Sequence, residues 1–286
     1  MARAFASATV IGLAGCVLFA GTTIGADRRE TDWRDERDQR VRPNRPSLYD
    51  VPPRVLIDIP TAGTFPRGHY DIGIRLYPNG GAIGYTDIGL SSRLLIGISY
   101  GAEDAISNRS PRWNPDIEFS VKFRIVDELE YFPAISVGFS SQGDGAWNKD
   151  YQRYAYKSRG FYAVASRGIY FYKWTSGWHA GINYSYEKKV DEDANINIFG
   201  GFDATFDYNV ALLLEYDAAI NDDRSTLPDD TPYLFSGKGR GYLNASVKWL
   251  FTDNLELEVM FKDLLVNRRE SDTFSREVRM TYIDRF

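Results

Sequence analysis

The sequence predicts an all-β fold, a closed antiparallel transmembrane β-barrel of about twelve strands with short turns on one rim and long loops on the other. Three observations carry this expectation. Apolar and polar residues alternate with period two through most of residues 70–286; the connections between alternating runs are short and long in turn; and Tyr, Phe and Trp make up 15% of the 286 residues. Alternation of that length marks strands with one apolar and one polar face. Aromatic enrichment favours strands over helices.

The chain opens with "MARAFASATVIGLAGCVLFAGTTIGA", where Arg3 precedes an apolar run and small residues lead to Ala26. This is the layout of a secretory signal peptide over residues 1–26, and the run is short for a spanning helix. Cys16, the only cysteine, lies in "LAGC", which resembles a lipoprotein cleavage box, although "VLFAG" rather than a polar stretch follows it. Two readings therefore stand: a lipidated Cys16, or a cysteine lost with the signal. Residues 27–56 are dense in Arg, Asp and Glu, with Pro43, Pro46, Pro52 and Pro53 among them. Such a segment buries too little apolar surface to offset its ordering entropy, so a flexible periplasmic lead-in is expected. Its charges nearly cancel and the chain carries a net −5, which gives no reason to expect nucleic acid as a partner.

The barrel is expected over 57–286. Its first run places Tyr70, Ile72, Ile74 and Leu76 opposite Asp71, Gly73 and Arg75. In 82–90, Ile83 and Tyr85 fall on one face and Ile88 and Leu90 on the other, which suggests a bulge near Asp87. Leu94–Tyr100, Ile117–Ile125 and Ile135–Phe139 alternate cleanly. In 160–174, Tyr162 and Val164 share parity with Tyr170, Tyr172 and Trp174. Further runs follow at Trp178–Tyr186, Ile196–Asp203, Val210–Asp217, Leu243–Phe251, Leu255–Lys262 and Val278–Phe286.

Tight turns are expected at Ser91–Arg93, Asp127–Leu129, Thr175–Gly177, Asp207–Asn209 and Thr252–Asn254. Long polar loops are expected near 102–115, 142–159, 187–195, 220–240 and 265–275. Membrane barrels segregate loop length between their rims in this way, with the short set periplasmic. The apolar faces then meet lipid and the polar faces line the lumen. Lumen-facing candidates are Arg75, Glu118, Lys122, Arg124, His179, Glu215, Asp217, Lys248, Glu258 and Arg279. Charges of both signs on one enclosed face need partners or water, and a hydrated lumen supplies both. About twelve strands lie between filled eight-stranded barrels and open porins, so the lumen is either open or plugged. In lipid no sheet edge stays unpaired, so Val278–Phe286 should pair with Tyr70–Leu76.

Two stretches carry resemblances. "VRMTYIDRF" resembles the C-terminal assembly signal of bacterial outer-membrane barrels, with Val278, Met280, Tyr282 and Phe286 matching the pattern and Asp284 departing from it. That implies location in the cell outer membrane, with lipid and the barrel-assembly machinery as partners. "IDIPTAGTFPRGHYDIGIRLYPNGG", residues 57–81, is similar to the lead-in of the YjbH-like outer-membrane proteins associated with exopolysaccharide. This second resemblance implies a component of exopolysaccharide secretion, with polysaccharide-export components as partners. Small inward residues such as Gly73, Gly97, Ser99 and Gly138 point instead to a narrow diffusion channel for small or saccharide solutes. A structural barrel without transport is the third reading.

Catalytic, metal and cofactor chemistry has little to build on. There are two histidines, His69 and His179. Ser185 lies on the His179 face but about 20 Å along the strand, too far for a dyad. "SGKGRGY" (236–242) lacks P-loop spacing, and "DEDANIN" (191–197) lacks the Gly and terminal Glu of an EF-hand loop. No enzyme activity, cofactor or metal is expected.

Overall fold

The computed structural model describes residues 53–171, 174–187, 193–206, 209–223 and 236–286. The expected signal peptide, Cys16 and all of the lead-in before Pro53 lie outside the described residues, as do Asp191, Glu192 and the turn residues Asp207 and Tyr208.

The strands, in chain order, are β1 (His69–Tyr77), β2 (Gly81–Ser91), β3 (Leu94–Glu103), β4 (Arg112–Trp113), β5 (Glu118–Val126), β6 (Ala134–Ser140), β7 (Asp144–Asn148), β8 (Arg153–Tyr156), β9 (Gly160–Phe171), β10 (Trp174–Tyr184), β11 (Asn197–Phe206), β12 (Val210–Asp217), β13 (Tyr242–Thr252), β14 (Leu255–Lys262) and β15 (Ser275–Arg285). Thirteen share one antiparallel sheet; two-residue β4 only extends β3, and the other twelve close into a ring. Closure is made by β15 on β1, with Tyr70 opposite Asp284, Ile74 opposite Met280 and Leu76 opposite Val278. β7 and β8 form a separate hairpin.

Ile72, Ile98, Phe119, Trp178, Ile182, Ile198 and Leu212 stand exposed on the outer face, while their neighbours Asp71, Lys122, Ser136, His179, Asn197 and Glu215 are buried inside. A closed barrel with an apolar exterior and a polar interior is a transmembrane barrel, and this one is of the outer-membrane type. Among the described residues no helix is long and apolar enough to cross a membrane.

The chain enters β1 from the short-turn rim, where Phe286 also sits, its amide bonded to the Gly68 carbonyl and its ring stacked on Tyr70 at 5.9 Å. Asp284 faces outward beside Tyr282, whose hydroxyl donates to its carboxylate at 2.8 Å. The departure of Asp284 from the assembly pattern thus falls at the rim, where a carboxylate can stay hydrated.

Three local expectations are corrected. β2 keeps regular register through Asp87, with its irregularity at Gly89/Ser91, so no bulge forms near Asp87. Ile83 and Tyr85 instead face the lumen, where Ile83 is buried. Thr175–Gly177 are not a turn: they pair with Gly168–Tyr170 and Asp203–Thr205 inside β10. Small residues there imitate turn chemistry, but the register places them mid-sheet. The third correction falls on residues 53–66. Residues 53–56, expected in a flexible lead-in, and 57–66, expected to lead into the first strand, run together inside the ring. Leu56, Ile57, Ile59 and Phe65 are fully buried inside the ring.

Candidate functional site

The segment 53–66 forms a re-entrant hairpin in the lumen. Val55 bridges Pro60, the Leu56 amide donates to the Ile59 carbonyl at 3.0 Å, and the Thr61 amide donates to Arg54 at 3.1 Å. Pro60 suits a position whose amide would otherwise need a partner. The two-residue tip, Ile57–Asp58, turns the chain inside the lumen, level with Arg75, Glu215 and Lys262 towards the long-loop ends of their strands. Burying Leu56, Ile57, Ile59 and Phe65 contributes about 1.5–3 kcal/mol each. Leu56, Ile57 and Ile59 pack with wall residues that alternation alone would make polar: Tyr162, Val164, Phe199, Leu213 and Met260.

The polar wall holds the hairpin by its backbone. Glu215 accepts the amides of Ile57 (3.0 Å), Asp58 (2.9 Å) and Ile59 (3.1 Å), and also the Asn244 side chain at 2.8 Å. Arg279 donates to the carbonyls of Leu56 (2.7 Å) and Ile57 (3.1 Å), and its guanidinium is paired with Glu258 at 2.6 Å. Lys122 Nζ donates to the carbonyls of Arg54 (2.6 Å) and Gly63 (3.1 Å). Ser136 donates to the Ala62 carbonyl, and Ser166 Oγ accepts the Ala62 amide at 2.8 Å. Arg54 pairs with Asp71 on β1.

The tip carboxylate has the densest surroundings. Asp58 Oδ1 lies 2.8 Å from Arg75 Nη2, and Oδ2 lies 2.7 Å from Lys262 Nζ. Lys262 is fully buried, with Nζ 4.0 Å above the Tyr156 ring. Arg75 also pairs with Glu277 and Asp144, each at 2.6 Å.

Asp144 belongs to the β7–β8 hairpin, the long loop after β6, which folds inward from the long-loop rim. All four β8 residues are buried. Arg153 pairs with Asp222 at 2.6 Å, and the Tyr154 hydroxyl donates to Glu118 at 2.9 Å. The lumen is therefore obstructed from both ends and retains a cavity of about 220 Å³, bordered by Asp58, Arg75, Tyr85, Lys122, Tyr162 and Arg279.

The predicted lumen residues fall into four groups. Arg75, Lys122, Glu215 and Arg279 touch the 53–66 hairpin, Glu258 supports Arg279, and His179 acts through Ser166. Glu118 and Asp217 support the outer loops, Asp217 accepting the Asn197 amide at 2.6 Å and the Ala219 backbone amide at 2.9 Å. Lys248 lies 3.8 Å from Glu256 and 3.9 Å from Glu258. Arg124 sits at the short-turn rim, donating to the Ser92 carbonyl that Thr64 of the same 53–66 segment also reaches, and pairing with Asp127.

Sequence reasoning missed Asp58, Ser166, Asp203 and Lys262. The His179 ring joins Ser166 (2.7 Å, Nδ1) to Asp203 (2.9 Å, Nε2), three residues from three adjacent strands. With Asp203 accepting from Nε2, Nδ1 accepts the Ser166 hydroxyl proton, which leaves Ser166 Oγ free to accept the Ala62 amide. Only the register reveals this chain; Ser166 lies opposite His179 across β9–β10.

No protein-family model matches the chain, and no curated protein matches it. Among solved structures, the KdgM porin is similar at a TM-score of 0.43 and 11% identity, over 75% of this chain and 98% of that one. The COG4313 outer membrane channel from Pseudomonas putida F1 gives 0.39 and 10%, over 77% and 97%. The NanC porin gives 0.39 and 8%, over 76% and 99%. At these values nothing about this chain's cargo follows from them.

Proposed function

We propose that this chain is a narrow outer-membrane channel for small hydrophilic solutes, saccharides among them, closed at rest by its own 53–66 hairpin. The observation that carries this reading is how the hairpin is held. Its backbone is bonded to polar side chains of the wall, contacts that water and a polar solute can replace. A twelve-stranded ring is wider than wall side chains alone fill. The hairpin supplies the missing filling and joins β1 at the periplasmic rim, so it can be withdrawn without breaking the sheet.

The barrel is read as non-enzymatic. Ser166, the hydroxyl next to an imidazole, is capped by the Ala62 amide, which suits a latch on the hairpin better than a nucleophile.

Swelling of proteoliposomes in isosmotic monosaccharide tests the channel. Swelling that exceeds protein-free vesicles and rises when hairpin contacts are weakened is the expected result; equal rates for every variant would refute it. The likeness of residues 57–81 to YjbH-like proteins favours a second reading, a component of exopolysaccharide secretion. That reading expects loss of surface polysaccharide on deletion of the gene and no solute flux through the purified barrel.

A further inference from the structure

The hairpin tip occupies the lumen as a bound ligand would, and its contacts describe the ligand. Asp58 offers two groups three bonds apart: its backbone amide, donated to Glu215 at 2.9 Å, and its carboxylate, shared between Arg75 at 2.8 Å and Lys262 at 2.7 Å. The wall therefore presents a carboxylate acceptor and a two-cation clamp at the spacing of one amino-acid residue. Both halves are built into the barrel. Glu215 is held by Asn244 at 2.8 Å, Arg75 by Glu277 at 2.6 Å, and Lys262 rests on the Tyr156 ring. Asp58 and Arg75 border the cavity of about 220 Å³, and a smaller one of about 20 Å³ touches Asp58 from the side of Tyr156 and Asn244.

We propose that this seat is a binding site for a free acidic amino acid. The α-ammonium takes the place of the tip amides on Glu215, and the side-chain carboxylate takes the place of Asp58 between Arg75 and Lys262. The hairpin is then a tethered competitor, and a solute entering through the cavity must displace it. Free L-aspartate repeats the amine-to-carboxylate connectivity of Asp58 and gains a positive charge on nitrogen, which strengthens its bond to Glu215. Glucose has neither group. The inference deepens the channel reading and rests on it for the route of entry, but the seat itself is testable without transport.

The experiment is calorimetric titration of L-aspartate into the full-length barrel in detergent, alongside Asp58→Asn and Asp58→Ala. Removing the tethered carboxylate frees the seat, and a competitor that holds the site closed lowers apparent affinity by the open fraction. L-aspartate is expected to bind both variants at least about tenfold more tightly than wild type, glucose is expected not to bind, and Lys262→Met added to Asp58→Asn is expected to abolish binding. Asp58→Asn is nearly isosteric and preserves packing if Asp58→Ala does not fold. Folded Asp58→Asn protein, recognised by heat-dependent gel migration, that binds no L-aspartate overturns the proposal, as does binding that survives loss of Lys262. Aspartate binding in a barrel with no solute flux would sustain the seat and refute the channel; flux without aspartate binding would do the reverse.

Discussion

Arg75 on the first strand of the barrel holds Asp58 at the tip of the lumen hairpin, Nη2 to Oδ1, at 2.8 Å. The same guanidinium binds Glu277 on the neighbouring strand and Asp144 on the inward-folded outer loop, both at 2.6 Å. One side chain therefore connects the wall, the hairpin entering from the periplasmic side and the loop entering from outside. Neither obstruction can move far without breaking a bond to Arg75.

Arg75→Met should release both. Three carboxylates lose a shared buried cation, and breaking such a pairing costs about 3–5 kcal/mol. The expected outcome is a lower unfolding temperature together with faster solute flux in vesicles. A destabilised barrel with unchanged flux would show that the hairpin stays seated without Arg75.

Glu215 accepts three consecutive tip amides. Glu215→Ala leaves these buried donors unpaired at about 1–3 kcal/mol each, whereas Glu215→Gln retains one acceptor oxygen. Protease added to the periplasmic face should cut within 53–66 much faster in the Ala variant, with the Gln variant between it and wild type. Mass spectrometry of the fragments reads the order.

Glu187, in the loop after β10, makes stability pH-dependent. Burial pushes its carboxyl up from 4.5 to about 8, against the lowering effects of the Ser158 amide at 2.9 Å and of Arg153 and Lys157. A folded-state value above the unfolded one means that the folded protein holds the proton. Stability is then greatest below pH 4.5 for this group and falls as pH rises towards about 8. Glu187→Gln should flatten that fall, seen as a smaller drop in unfolding temperature between about pH 5 and about pH 9.

Ser166 should not react with a fluorophosphonate, because its oxygen is held by Ala62 and buried against the hairpin. Labelling at Ser166, abolished by His179→Ala, would contradict the latch role and restore the case for catalysis.

Much of the barrel was legible because lipid imposes period two on every strand it touches. Phe119, Val121 and Phe123 could be read without knowing their neighbours, and β15 on β1 followed from the need to leave no edge. The interior was less legible. Ile83 and Tyr85 break the outward pattern because they line the cavity inside the ring, where apolar side chains are also tolerated, and in sequence such a break looks the same as a bulge. "LIDIPTAG" has no period of its own, since the wall decides which side of it is buried. The Ser166–His179–Asp203 chain depends on the register of three strands, which lies in pairing across β9–β11 rather than in any one segment. Arg75, Glu215 and Arg279 were identifiable as inward charges, but their partner, the chain's own segment ahead of β1, was not.

Removing Phe286 should lower insertion into the outer membrane, since the residue caps the β15–β1 seam through Gly68 and Tyr70. Insertion equal to wild type would show that neither the seam nor the assembly pattern needs it.

The most direct test is planar-bilayer conductance of the full chain against one in which residues 54–65 are replaced by a flexible Gly-Ser segment of equal length. Closure by the hairpin predicts rare or small openings for the native chain and a steady, larger conductance for the replacement, with both migrating as folded barrels. Identical conductance in the two folded proteins would contradict it.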